Sequence, residues 1–155
     1  MGVVRHVNNG SCPKCQLILD RYPGFYEPLA DWFVGLQSKH PEAHISCAGR
    51  GYEEQQTLLH GKRSRAKYGE SAHNYNAAID IFENGGRDPS NIYELEWYID
   101  VIRPNLQSWL VWYGSPEYRH VFFELPHIEI RNWKRMRDSG LLTLVEPMPE
   151  DDEPV

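Results

Sequence analysis

The chain has 155 residues, of which 41% are hydrophobic and 12% aromatic, a composition that suits one globular domain and excludes a disordered chain. Its formal net charge of −6 disfavours a general nucleic-acid-binding protein, since such proteins carry a basic excess. No stretch approaches the roughly 20 apolar residues of a membrane span, and no signal peptide is evident at the N-terminus. We therefore expect a monomer made in the cytoplasm, with a single domain over residues 1–145 and a disordered, acidic tail over residues 146–155.

The first half of the chain alternates between helical and extended patterns. A helix is predicted over residues 26–40, where apolar side chains recur at helical spacing and Pro28 suits the first turn. A short strand is predicted at residues 43–48, and a helix at residues 52–60 with two glutamates in its first turn. The first 24 residues are turn-rich and indicate no helix.

The second half contains the strongest strand pattern. Residues 76–82 alternate so that Asp80 shares one face of the predicted strand with two apolar side chains. Apolar spacing predicts a helix over residues 91–102, and Pro104 is suited to begin a second helix that continues through Tyr113. The remaining predicted elements are strands at residues 121–123 and 127–130 and a short helix at residues 133–139.

Two histidines and an aspartate form the principal candidate site. His73 precedes Asp80 by seven residues, and His127 follows well downstream. Two imidazoles and one carboxylate suffice to hold a zinc ion with one coordination position open to water. Glu124, three residues before His127, is the candidate base for the proton of that water. Arg50, between two glycines, is the candidate cation beside the oxyanion of a tetrahedral intermediate.

The three cysteines, Cys12, Cys15 and Cys47, leave more than one interpretation open. An odd number argues against a complete disulfide framework. Cys12 and Cys15 form a C-x-x-C motif, but no second cysteine pair completes a four-cysteine metal site and no β-α-β context indicates a redox motif. The motif is therefore either structural or part of a metal or redox site.

Two basic segments, residues 62–67 and 131–137, stand out against the acidic composition. A solvated loop and a solvated helix face would account for both. Alternatively, one of them contacts the carboxylates of an anionic substrate.

Several ordered segments between residues 43 and 142 resemble one family. Ser71-x-His73 followed by Asp80, together with Glu124-x-x-His127, resembles the zinc D-alanyl-D-alanine peptidases linked to vancomycin resistance and the phage L-alanyl-D-glutamate endolysins. Residues 48–55, 69–75 and 126–133 resemble the segments around those motifs. The resemblance implies an α+β fold shared with the hedgehog signalling domain, in which helices flank a small antiparallel sheet.

The resemblance also implies a role for each matching position. The implied ligands of a Zn²⁺ cofactor are His73, Asp80 and His127. The implied catalytic residues are Glu124 as base and Arg50 at the scissile carbonyl. The residues expected to bind substrate are Ser71, Gln55 and Tyr75.

Two positions distinguish this chain within the pattern. The family commonly has glycine where this chain has Asn76, and asparagine is the next most tolerant residue of left-handed backbone, so we expect the turn to survive. Whether the Asn76 side chain narrows the cleft stays open. The endolysin branch often has aspartate at the position of Glu124, whereas the dipeptidase branch has glutamate.

These features favour a zinc peptidase that cuts the peptide stems of peptidoglycan. The short chain, the likeness to the endolysins and the lack of a signal peptide favour an L-alanyl-D-glutamate endopeptidase over a D-alanyl-D-alanine carboxypeptidase or dipeptidase. Such an enzyme would act on the cell wall after release or delivery. The alternative from another class is a non-catalytic, zinc-containing module that binds the cell wall, and a purely structural protein is a third hypothesis.

Overall fold

The computed structural model describes residues 12–64, 66–83, 95–115 and 125–149. The predicted strand at residues 121–123 and the candidate base Glu124 lie outside the described residues. Within the described ranges, no helix combines the length and the apolar character that crossing a bilayer requires.

Four strands in the described part of the chain form one antiparallel sheet. They are β1 (Ala43–Cys47), β2 (Ala78–Glu83), β3 (Leu110–Trp112) and β4 (His127–Ile130), in the spatial order β1-β2-β4-β3. On the central pair, Ile79 lies opposite Ile128 and both are fully buried. Burial of this pair fixes the register, because a slip by one residue would turn both side chains to the other face. In this register Asp80 lies opposite His127.

Helices accompany the sheet, so the predicted α+β class is confirmed. Their bounds are α1 (Pro13–Leu19), α2 (Glu27–Lys39), α3 (Tyr52–His60), α4 (Leu95–Trp97), α5 (Arg103–Asn105) and α6 (Trp133–Asp138), with a 3₁₀ turn at Ala72–Tyr75 and a π-helical turn at Tyr98–Ile102. Helices α1 and α2 contact β1. Helix α2 buries Leu29, Phe33 and Leu36, the face that its sequence spacing predicts.

Helix α1 contradicts the prediction that the first 24 residues contain no helix. Pro13 occupies its first turn, and the Cys12 sulfur caps it by accepting the backbone N–H of Cys15 at 3.3 Å. Its seven residues bury only Cys15, Gln16 and Leu19. A face this short gives no sustained apolar period, which is why the sequence pattern did not reveal it.

The predicted helix from Pro104 to Tyr113 is wrong. Helix α5 ends at Asn105, and Leu106 is already extended, with φ −69° and ψ 142°. The chain then enters β3, where Leu110 pairs with Ile130 and Trp112 with Ile128. The apolar residues of this segment have the spacing of a helix. Pairing with β4 buries all three β3 residues, however, and this tertiary contact outweighs the local helical pattern.

The segment after α6 also departs from expectation, because Glu146 is held against the domain. The backbone N–H of Glu146 donates to the hydroxyl of Tyr68 at 2.9 Å, and its carboxylate accepts the N–H of Tyr52 at 3.0 Å. Just before it, the N–H of Val145 donates to the carbonyl of Asn74 at 2.8 Å. The acidic composition of this segment gave no sign of these contacts, and a disordered tail over residues 146–155 stays a prediction.

Candidate metal centre

Three side-chain atoms from separate elements converge at one end of the β2–β4 pair. Nε2 of His73, from the 3₁₀ turn, lies 3.2 Å from Oδ1 of Asp80 in β2 and 3.2 Å from Nδ1 of His127 in β4. Nδ1 of His127 lies 3.3 Å from the same Asp80 oxygen. The three residues predicted as zinc ligands are thus brought together, each with one donor atom aimed at a common point.

The spacing of these atoms fits a small tetrahedral ion. Bonds of 2.0–2.1 Å to nitrogen and oxygen place tetrahedral ligand atoms about 3.3–3.4 Å apart. All three separations here lie within about 0.2 Å of that range. Three protein donors leave one position for water or substrate, which is the arrangement of catalytic rather than structural zinc sites.

Hydrogen bonds on the far side of each imidazole turn the correct nitrogen toward the centre. Nδ1 of His73 lies 2.7 Å from the carbonyl of Ala48 and donates to it. Nε2 of His127 lies 2.8 Å from the carboxylate of Glu129 and donates to it. In the neutral imidazoles those nitrogens carry the protons, so that Nε2 of His73 and Nδ1 of His127 are the atoms that can bind a metal ion.

Glu129 is the residue that sequence reasoning overlooked. It is buried, and its second carboxylate oxygen accepts the hydroxyl of Tyr113 at 2.9 Å. Its role was readable from spacing, because residues two apart on a strand share a face and His127 opens β4 two positions earlier. A carboxylate on that face can support the ligand without binding the metal itself.

Local backbone structure explains how His73 is presented. The hydroxyl of Ser71 caps the 3₁₀ turn by accepting the N–H of His73, and the carbonyl of His73 accepts the N–H of Arg50 at 2.9 Å. The turn ends at Asn76, whose φ of 56° and ψ of 34° are left-handed, as the sequence predicts. The Asn76 amide donates to the carbonyl of Pro23 and does not line the cleft, so it leaves the cleft open.

Arg50 is fixed beside the centre. Its guanidinium donates to Oε1 of Gln55 at 3.1 Å and to the sulfur of Cys47 at 3.5 Å, and it lies 3.7 Å from Oδ2 of Asp80. The two Asp80 oxygens are therefore divided, with Oδ1 facing the histidines and Oδ2 facing the arginine. The Cys47 sulfur is within metal-binding range of His73 and Asp80, but it faces Nδ1 of His73, the nitrogen already bonded to Ala48.

Gln55, which the sequence predicts to bind substrate, lies behind Arg50. It has no exposed surface, and its amide donates to Ser64 and to the carbonyl of Ala66. Its oxygen accepts from Arg50 and Asn74. With every donor and acceptor engaged, Gln55 holds the guanidinium of Arg50 in place.

The charges of the centre alter the pKa values of its members. Burial alone would lower the pKa of His73, but the Asp80 carboxylate outweighs it and raises that pKa to about 10. For His127 the hydrogen bonds to Asp80 and Glu129 likewise overcome burial and raise the pKa to about 9. Burial would raise the pKa of Asp80, yet the two histidines hold it well below its usual range. Without a metal, the site therefore retains protons that a cation must displace.

The centre opens into a cleft of about 600 Å³. Ser71, predicted to bind substrate, lines it together with the three candidate ligands and Arg50. Tyr75, also predicted to bind substrate, is not among the lining residues, because its ring packs on Trp133 and its hydroxyl donates to the carbonyl of Gly69. Basic side chains on the cleft wall are Lys62, Arg63 and Lys134.

Comparison with known proteins identifies the fold. No protein-family model matches the chain, and no curated protein matches it. Among solved structures, it is similar to the L-Ala D-Glu endopeptidase ChiX of Serratia marcescens, with a TM-score of 0.57 and 14% sequence identity over 86% of this chain and 98% of that one. Identity at this level shows the fold alone. The chain thus has the α+β fold of a peptidase, with a small antiparallel sheet that carries a candidate metal centre.

Proposed function

We propose that this protein is a zinc metallopeptidase that hydrolyses the peptide stems of peptidoglycan, as an L-alanyl-D-glutamate endopeptidase. The observation that carries the proposal is the convergence of one donor atom each from His73, Asp80 and His127 to within 3.3 Å of one another on the wall of an open cleft. The fold shared with an L-Ala D-Glu endopeptidase supports the choice of reaction.

The donor set suits zinc. Two neutral imidazoles and a carboxylate are ligands that zinc accepts readily, and each imidazole here has its non-ligating nitrogen hydrogen-bonded. A zinc ion bound there would polarise the scissile carbonyl and lower the pKa of a water molecule to about 7.

The protein itself supplies the charge and proton chemistry. We propose that Arg50 stabilises the negative charge that develops on the carbonyl oxygen, since its guanidinium is already held by Gln55 and needs no reorganisation. Glu124 lies outside the described residues, and its role as base remains a prediction from its position three residues before His127. In that role it would take a proton from water and deliver it to the departing amine.

The charge of the cleft wall supports an acidic peptide as substrate. Lys62, Arg63 and Lys134 line the cleft of a chain whose net charge is −6. The acidic side chains on the same wall are Asp80 and Glu129, which already face the histidines, and Glu70, which accepts the backbone N–H of Lys67. A stem peptide containing D-glutamate keeps a free carboxylate, which these cations can attract.

Digestion of purified sacculi tests the proposal. We expect wild-type protein to release new D-glutamate amino termini, to lose this activity with a chelator and to regain it with zinc. Glu124→Gln should bind zinc normally but lose activity by roughly 10²-fold or more, the scale of a general base. Glu53→Gln, the same change on the exposed first turn of α3, is the matched control and should keep full activity.

The products separate the alternatives. Release of free D-alanine would show a carboxypeptidase instead, and binding to sacculi without any product would show a non-catalytic module. Full activity of Glu124→Gln, or full activity in protein from which zinc has been removed, would contradict the mechanism.

A further inference from the structure

A second group of metal-binding side chains lies where α1 meets β1. The sulfur of Cys12 is 3.4 Å from Nδ1 of His44, and the sulfur of Cys15 is 3.5 Å from the same nitrogen. Cys15 is almost fully buried, whereas Cys12 and His44 are half-buried. Both cysteines are free thiols. We propose that Cys12, Cys15 and His44 bind a second zinc ion, which fastens α1 to the edge of the sheet.

The sulfur–nitrogen distances of this cluster fit zinc. With bonds of 2.3 Å to sulfur and 2.0–2.1 Å to nitrogen, tetrahedral coordination places a sulfur and a nitrogen about 3.6 Å apart. The two sulfur–nitrogen distances lie within about 0.2 Å of that value. All three donor atoms lie within 4.8 Å of one another, so one ion can reach each of them.

The donor set also selects the metal. Two thiolates and an imidazole are soft and borderline ligands, which favour zinc over magnesium or calcium. Binding requires both thiols to lose their protons to solvent, and the two charges that form are then neutralised by the ion. Three protein donors leave a fourth position for water.

Neighbouring groups hold the sulfurs in place. The backbone N–H of Cys15 donates to the sulfur of Cys12 at 3.3 Å, and the side-chain amide of Gln37 donates to the sulfur of Cys15 at 3.4 Å. The Gln37 oxygen accepts the N–H of Cys12 at 2.7 Å, and its amide also donates to the carbonyl of Ala43 at 2.6 Å. N–H donors directed at sulfur stabilise the thiolate form that a metal needs.

A dithiol redox pair is the competing explanation of the motif. Such a pair needs only that its two sulfurs meet, and nothing in that chemistry requires an imidazole nitrogen nearly equidistant from both. His44 belongs to a different element, β1, and its ring nitrogen completes a three-donor set. Metal binding accounts for all three residues, whereas disulfide formation accounts for two.

The cluster has three protein donors, as catalytic zinc sites do, but none of its residues lines the cleft, so we assign it a bracing rather than a catalytic role. His44 and Cys47 lie three residues apart on β1, and Cys47 pairs with Asp80 of the candidate catalytic centre. Within the described residues β1 lies at one edge of the sheet, paired with β2 alone. An ion that joins His44 to α1 would brace this strand close to the catalytic residues without lying in their cleft, which His44 does not line.

Metal content and the cobalt spectrum of the full-length protein test the second site. We expect two zinc ions per wild-type chain, and one in a Cys12→Ser, Cys15→Ser double variant. Cobalt-substituted wild type should show the near-ultraviolet charge-transfer band of thiolate–cobalt bonds, and the double variant should lose it. Cys47→Ser, the same substitution on the third cysteine, is the matched control and should keep the band.

The test remains decisive if the catalytic proposal fails. Asp80→Asn weakens only the first centre and should keep the thiolate–cobalt band, and the wild-type spectrum needs no variant to fold. Wild-type protein that shows no such band after reduction and cobalt loading would overturn the second site. A band of undiminished intensity in the double variant would do the same.

Discussion

At the scale of single residues, the centre depends on the groups behind its ligands. The imidazole of His127 is held between the other two candidate ligands and Glu129, whose second carboxylate oxygen accepts the hydroxyl of Tyr113. This chain of hydrogen bonds fixes both the ring orientation and the nitrogen that carries the proton. It also makes the ring a better donor to a cation, because the carboxylate raises its basicity.

We therefore expect Glu129→Gln to weaken zinc binding at the catalytic centre by about 10–100-fold. The amide can still accept from His127, but it lacks the negative charge that makes the ring basic. Competition with a chromophoric chelator would measure the dissociation constant. Tyr113→Phe, which removes the hydrogen bond to Glu129 but keeps the carboxylate beside His127, should have a smaller effect. Unchanged zinc affinity in Glu129→Gln would exclude a positioning role for this carboxylate.

Sequence reasoning identified the three candidate ligands because their residue types and spacing are distinctive. It assigned Gln55 and Tyr75 to substrate, whereas Gln55 supports Arg50 and Tyr75 packs on Trp133. Long-range partners such as these depend on which side chains meet in three dimensions. A local motif carries no information about them.

At the scale of elements, regular patterns with ordinary caps were predictable. Helices α2 and α3 and strands β1 and β2 lie where apolar periodicity and turn residues predict them. Strand β3 could not be predicted, because Leu106, Trp109 and Leu110 have helical spacing. Pairing with β4 decides the conformation of this segment. Short elements whose stability is tertiary are not encoded in their own sequence.

The contact between Gly49 and Asn76 links the Arg50 segment to the His73 turn. A Cβ on Gly49 would lie 2.4 Å from Oδ1 of Asn76 and 2.7 Å from the Tyr22 ring. That Asn76 oxygen is buried and has no hydrogen-bond partner. The two segments therefore approach as closely as they do only because residue 49 has no side chain.

We expect Gly49→Ala to destabilise the protein by about 1–3 kcal/mol, the usual cost of overpacking. Adding Asn76→Gly should recover part of the loss, because it removes the nearer obstacle and glycine accepts the left-handed backbone there. Urea unfolding of the two single variants and the double variant would measure the coupling. Strictly additive effects would show that the two side chains do not interfere.

At the scale of the whole molecule, the candidate metal centre joins three distant parts of the chain. The 3₁₀ turn, β2 and β4 each contribute one donor, so charge within the centre bears on the stability of the entire fold. In metal-free protein the raised pKa values of His73 and His127, about 10 and about 9, mean that folding favours their protonated forms.

The stability of the metal-free protein should consequently fall as the pH rises. The contribution is complete below the unfolded histidine pKa of about 6.5, and it is lost as the pH passes through 9 and 10. We expect the free energy of unfolding to drop by at least about 1.4 kcal/mol, the equivalent of one pKa unit. Chemical denaturation in the presence of a chelator would measure it. Asp80→Asn should flatten the profile, and an equally steep profile in that variant would contradict the assignment.

The hydrogen bonds of Val145 and Glu146 limit where the C-terminal end of the domain can be shortened or fused to another protein. Composition suggests that the acidic end could be trimmed from residue 146, but that cut removes a carboxylate and a backbone N–H bonded to Tyr52 and Tyr68. The neighbouring residue is bonded to Asn74, next to His73 itself. A tag or fusion partner attached at this point could therefore disturb the 3₁₀ turn that carries His73, the first candidate ligand.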